Sequence, residues 1–149
     1  MPSVYESKPW LKRYAGYVPK ELPLPQRSMA DLFEQSAERN PDRDAIRYFD
    51  EKIPYGELND LADRFATLLS RRGVEKGDRI AVYTQNNPQF LIAQYGAWKR
   101  GATVVPLNSM LKSKELDYHL NDSGAKVLVC LESLYADVAK EVVPGTNVD

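Results

Sequence analysis

The chain has 149 residues but only one cysteine, one histidine and eight glycines. With Cys130 alone, an internal disulfide and a multi-cysteine metal site are both excluded. Set behind the apolar run Val127-Leu128-Val129, that cysteine reads as a small buried hydrophobe. No apolar run approaches the roughly 20 residues that span a bilayer. Met1 to Gly16 lacks the charged-then-apolar order of a signal peptide, so the expected location is cytoplasmic. An excess of one charge is missing too. Twenty basic side chains face 21 acidic ones, and a net charge of -1 offers no field to gather a nucleic acid. No G-x-G-x-x-G follows a strand and no Walker loop occurs, while Gly73 to Asp78 is a glycine-bounded turn without a phosphate-binding register. What is present, 43% hydrophobic and 28% charged residues, suits one ordinary domain or a piece of a larger one.

From Ser7 to Gln26, Pro9, Pro19, Pro23 and Pro25 stand among Trp10, Tyr14 and Tyr17. That mixture predicts an extended arm, residues 1–27, lying against its own domain or a neighbouring subunit so that its aromatics are covered. A helix follows with Ser28 as N-cap and Met29, Leu32, Phe33 and Ala37 at helical spacing, ending before Pro41. Ala45 to Phe49, a turn at Asp50 to Lys52, and Ile53 to Tyr55 read as a hairpin, with Pro54 at an edge or strand end. Leu58, Leu61, Ala62, Phe65, Leu68 and Leu69 form an unbroken helical stripe that Gly73 stops. Beyond Gly77, strands Arg79–Tyr83, Thr103–Leu107 and Lys126–Cys130 alternate with helices from Pro88 to Arg100 and Ser113 to Asn121. A last helix covers Leu134 to Val142. The fold class is therefore α/β, a β-α-β-α-β parallel-sheet unit preceded by an arm, a helix and a hairpin. Continuously apolar strands are those expected when both faces are covered.

The residues alone offer little chemistry. His119 shares a helix with Leu116 and Leu120, where a structural or surface role is expected. A Cys130–His119 pair lacks any evident means of forming a thiolate. Glu57, Asp60 and Asp63 lie opposite the leucine stripe and read as solvated. Tyr95 and Trp98 read as core packing. The basic clusters Arg71-Arg72 and Lys99-Arg100 fall at helix ends. No residue is assigned to catalysis, to a cofactor or to a metal.

Several stretches, taken in order, resemble the start of the AMP-forming acyl-CoA synthetases. Ile53-Pro54-Tyr55-Gly56-Glu57-Leu58 is similar to the first core motif, and Val74 to Val82 to the next strand with its lysine-glycine-aspartate lead-in. Asn86-Asn87-Pro88-Gln89-Phe90 resembles the asparagine-led helix start. Trp98 to Asn108 resembles the second core motif, continued by Lys114-Glu115-Leu116 through Ala125. The opening, Pro9 to Tyr14 and then Ser28 to Ala37, is similar to long-chain fatty acid-CoA ligases. Pro54 departs from the usual Thr or Ser and removes a capping hydroxyl; Thr103 stands where some members carry an aromatic.

The resemblance implies a larger enzyme that uses ATP, CoA and magnesium. A fatty acid and ATP give an acyl-adenylate and pyrophosphate, and the CoA thiol then displaces AMP. Residues 28–149 would be part of its N-terminal domain, cut before the phosphate-binding loop, and inactive alone. In some acid-CoA ligases a basic residue just after the second core motif approaches the CoA phosphates; Met110 falls near that place, with Lys112 and Lys114 close behind as ordinary solvated lysines. The alternatives are a ligase for another carboxylic acid, or an interaction domain on the same scaffold. The expected partners are a fatty acid, ATP and CoA, with peripheral membrane contact and no nucleic acid. Uncovered apolar surface and a strand edge predict self-association, with the aromatic arm as a participant.

Overall fold

A computed structural model describes residues 3–148. The arm holds one turn of helix, α1 (Val4–Ser7), and one turn of 3-10 helix, Pro9–Arg13, with Pro9 at its start where the missing N–H costs nothing. This is more local order than the prolines suggest. The chain's own domain does not cover the arm's aromatics: Tyr5, Tyr14 and Tyr17 are exposed, and the ring contact of Trp10 is edge-to-face with Tyr5 of the same arm.

Helix α2 (Met29–Arg39) begins with a reciprocal cap. Ser28 Oγ accepts from the Asp31 N–H at 3.1 Å and Asp31 Oδ2 accepts from the Ser28 N–H at 2.9 Å. Strands β1 (Asp44–Tyr48) and β2 (Glu51–Pro54) pair antiparallel, Tyr48 opposite Glu51. The turn is therefore Phe49-Asp50, earlier than the sequence suggests, and Phe49 takes a left-handed φ of 52° with its ring in solvent. Pro54 ends β2 and caps α3 (Tyr55–Arg71) without a side-chain hydrogen bond, as its ring requires.

The parallel sheet runs β4-β3-β5, with β3 (Arg79–Tyr83) in the centre, β4 (Thr103–Leu107) and β5 (Val127–Cys130) beside it. Helix α4 (Pro88–Lys99) joins α3 on one face, where Leu69, Ala93 and Ala97 meet Ile80 and Val82. Helix α5 (Ser113–Ser123) covers the other, where Leu116 and Leu120 meet Ala81 and Tyr83. Each fully buried leucine such as Leu116 contributes roughly 2 kcal/mol before its entropy is counted. The expected terminal helix is broken into α6 (Glu132–Leu134), a π-turn at Tyr135–Ala139 and α7 (Lys140–Val142). The wide turn puts Val138, Ala139 and Val142 together under α5.

Strand β3 is buried from Ile80 to Tyr83, while β4 and β5, with one strand neighbour each, are only half-covered, in line with the uncovered apolar surface and strand edge that the sequence predicts. One apolar reading needs correction. Leu68, counted in the α3 stripe, is 48% exposed, beside an open groove of about 470 Å³ between α3 and β5.

Two glycines are required by geometry. A Cβ on Gly96 would lie 2.7 Å from the Ala62 carbonyl oxygen, so its absence lets α4 approach α3. Gly124 ends α5 in the left-handed region, φ 57°, leaving its carbonyl to accept from the Arg79 guanidinium at 2.6 Å.

Candidate functional site: the carboxyl rim of the parallel sheet

In an open α/β sheet, ligands are received where successive strands send their connections to opposite faces, because the loops part there. β3 leads to α4 on one face, and β4 leads to α5 on the other. The crevice between their carboxyl ends measures about 560 Å³ and is walled by Thr84, Gln85, Asn86, Phe90, Asn108 and Ser109, among others. A second cavity of about 270 Å³ lies between the ends of β3 and β5, walled mainly by Phe65, Ile92, Ala93, Val129 and Leu131. Thr84, 8% exposed, borders both.

The rim is held by side chains that finish their strands. Asn87 caps α4: its Oδ1 accepts from the Phe90 N–H at 3.0 Å while its Nδ2 donates to Thr84 Oγ1 at 3.0 Å. One residue thus fixes both the helix start and the orientation of the buried hydroxyl. Tyr83 OH crosses to the loop after β4 and donates to the Leu111 carbonyl at 2.7 Å. Asn108 Oδ1 accepts from the Met110 N–H at 2.9 Å, tightening the same loop.

Chemically the rim is neutral. Burial raises the Tyr83 hydroxyl above its ordinary value, with Cys130 adding to the effect, and burial alone raises the Cys130 thiol. Neither group is prepared as a nucleophile. The crevice has hydroxyls, amides and apolar walls but no cationic side chain and no glycine turn. These residues therefore do not fit a triphosphate by themselves, and among the described residues no group of three His, Cys, Asp or Glu is placed to hold a metal.

The residues singled out in the sequence stay mostly apart. His119 is exposed on α5, edge-on to Tyr118, and shares no hydrogen bond with Cys130. Met110 is exposed, as are Lys112 and Lys114; the Lys112 backbone N–H donates to Glu115 at the start of α5. Gly73 to Asp78 is a structural turn: Asp78 accepts from the Glu75 N–H at 2.8 Å and binds Lys126 Nζ at 3.0 Å. Tyr95 stacks on Phe33 at 3.9 Å against the core of Leu58 and Ala62, and meets the half-buried Trp98 edge-on.

Asp63 is the exception to its reading as a solvated charge. Its Oδ1 lies 2.6 Å from Lys99 Nζ, which also meets Asn59 Oδ1 at 2.8 Å and Glu34 Oε1 at 3.0 Å. Lys99 is correspondingly no free basic cluster; only 7% of its side chain is exposed. Burial opposes its charge, but the hydrogen bonds and charges of Asp63 and Glu34 outweigh burial and raise the ammonium above its ordinary value. The i,i+4 relation of Asn59 and Asp63 was the available signal. Nothing in the sequence indicated that α4 would bring a lysine onto it.

Fold and rim define a doubly wound α/β unit with a neutral crevice at its carboxyl edge. The pattern of the AMP-binding enzyme family matches residues 33–148, and the chain belongs to that family. A long-chain-fatty-acid–CoA ligase of Bacillus subtilis (strain 168) is 36% identical over 133 residues, 89% of this chain and 24% of that protein. Surfactin synthase subunit 1 of the same organism is 37% identical over 116 residues, 77% of this chain and 3% of that protein. The crystal structure of a long-chain-fatty-acid-CoA ligase from Archaeoglobus fulgidus superposes with a TM-score of 0.78 at 32% identity, covering 87% of this chain and 27% of that one. The chain spans about a quarter of the length of the ligases it matches. It resembles their N-terminal part.

Proposed function

We propose that this chain is the N-terminal scaffold of a long-chain fatty acid-CoA ligase acting in the cytoplasm. In the whole enzyme a fatty acid carboxylate would attack ATP to give acyl-AMP and pyrophosphate, and the CoA thiol would then displace AMP, yielding acyl-CoA. ATP, CoA and magnesium belong to that whole enzyme. Residues 28–149 supply two walls, the rim crevice and the apolar cavity beside it, while the phosphate-gripping groups come from elsewhere. The observation that carries this reading is the likeness to long-chain ligases over 89% of the chain. The same reading includes a peripheral contact with lipid, and self-association of the 149-residue chain through the uncovered edge of β5.

Pyrophosphate release by the full-length enzyme, measured with ATP, CoA and acids of graded chain length, tests the proposal. Turnover with long-chain fatty acids and stoichiometric CoA consumption is expected. The similarity to surfactin synthase favours one specific rival, a ligase for another acid, and turnover only with such an acid would decide for it. No pyrophosphate with any acid would leave the interaction-domain reading.

A further inference from the structure

Among the described residues, Tyr83 is the largest side chain that solvent does not reach. It closes the central strand β3, in register with Leu107 of β4 and Cys130 of β5, and its ring packs with Leu116 and Leu120 of α5. Packing alone asks only for the ring, whereas a buried phenol also needs a hydrogen-bond partner. That partner is the Leu111 carbonyl, 2.7 Å away and beyond the end of β4. Burial raises the hydroxyl above its ordinary value, so it stays a donor across the neutral range. Ring and hydroxyl are buried by residues 3–148 themselves, so the contact does not depend on what lies against the rest of the surface.

The bond matters because of where Leu111 is. β4 ends at Leu107 and α5 begins at Ser113, and residues 108–111 make the turn that leaves β4. The turn is closed within itself: the Asn108 side chain accepts from the Met110 N–H at 2.9 Å, and the Asn108 carbonyl accepts from the Leu111 N–H at 3.1 Å. Those bonds fix its shape but not its distance from β3. Among the described residues, Tyr83 is the one side chain outside the turn that hydrogen-bonds to it. Thr84, the next residue, is held by Asn87 at the start of α4. Two consecutive residues at the end of β3 thus set both walls of the crevice, Asn108 and Ser109 on one side, Gln85 and Asn86 on the other.

We propose that Tyr83 is a positioning residue for CoA: through Leu111, its hydroxyl holds the 108–111 turn at the distance from β3 that the crevice needs. The proposal rests on the ligase reading of the chain. Of the substrates that reading names, CoA is the one with an uncharged chain of amides and a hydroxyl, the arm between its nucleotide and its thiol. The Gln85, Asn86 and Asn108 amides and the Ser109 hydroxyl offer donors and acceptors to such a chain. One neutral hydrogen bond is modest on its own, so release of the turn weakens the contact with CoA and does not abolish it.

The test uses the full-length enzyme with Tyr83→Phe, which removes one oxygen and keeps the ring. The KM for CoA should rise roughly two- to tenfold, the worth of one neutral hydrogen bond. Exchange of pyrophosphate into ATP, run with the fatty acid and without CoA, should keep its KM for both substrates. Tyr83→Leu also loses ring volume, so it should melt at a lower temperature yet show the same CoA shift. The shift would then follow the hydroxyl while stability follows the packing. An unchanged KM for CoA in Tyr83→Phe, or equal shifts for all three substrates, overturns the assignment while leaving the ligase reading in place. An unsubstituted enzyme that exchanges pyrophosphate with no acid and consumes no CoA overturns the ligase reading, and the role of Tyr83 falls with it.

Discussion

Lys99 on α4 and Asp63 on α3 form an ion pair of 2.6 Å in which the lysine is almost wholly covered and the carboxylate is about half exposed. Glu34, from α2, closes on the same ammonium, so one side chain ties three helices. Lys99→Met should destabilise the chain by about 1–3 kcal/mol in urea unfolding. That is below the loss for a fully buried pair, because the two carboxylates can rehydrate. The raised lysine value means its contribution is complete below the ordinary 10.5 and is lost as pH rises through the folded value. The alkaline limb of a melting-temperature profile should therefore be steeper in the unsubstituted chain than in Lys99→Met. Identical limbs would show that the clamp carries no linkage.

Gly96→Ala should be destabilising although alanine is the better helix former. The new methyl meets the Ala62 carbonyl oxygen and the Phe65 ring at 2.7 and 2.8 Å, and backbone cannot step aside as a flexible side chain can. Separation of α3 from α4 costs about 1–3 kcal/mol against about 1 kcal/mol of propensity gained. Chemical denaturation reads the difference, and a more stable variant would show that the helices part freely.

Acid should unfold the chain partly through Asp78. The Glu75 N–H, and after it Lys126, hold this carboxyl below its ordinary 3.8. A depressed value means the contribution is complete above 3.8 and disappears as pH falls through the folded value. Asp78→Asn should flatten the acid limb of a thermal melt series while leaving the alkaline limb alone.

The two edges of the sheet are not equivalent. Val82 pairs with Pro106 on one side and Val129 on the other. The Thr103 and Lys126 N–H groups donate toward β3, so by alternation the Pro106 and Val129 nitrogens face outward. Proline blunts the β4 edge, whereas valine leaves β5 able to pair. Val129→Pro should make the chain monomeric by light scattering without loss of fold, since the same residue is already tolerated on the opposite edge. A monomer before the substitution would show that the β5 edge does not recruit a second copy.

The sequence by itself determined the elements whose causes are local. Ser28 and Asp31 cap α2 because they are three residues apart, the stripe from Leu58 to Leu69 makes α3, and the alternation after Gly77 requires a parallel sheet. It also read Tyr95 as packing, and that ring stacks on Phe33 against the core of Leu58 and Ala62. Only the tertiary structure decided which charges are solvated, which strand is covered on both sides and which apolar residues stay outside. Asp63 and Glu57 occupy the same polar face of α3, yet only Asp63 meets a lysine arriving from α4. Val104 and Val82 read alike, yet only Val82 has a strand on each side. Periodicity records which way a side chain leaves its own helix or strand. What waits there is set by elements far along the chain, and they come together only when the sheet and its helices close on one another.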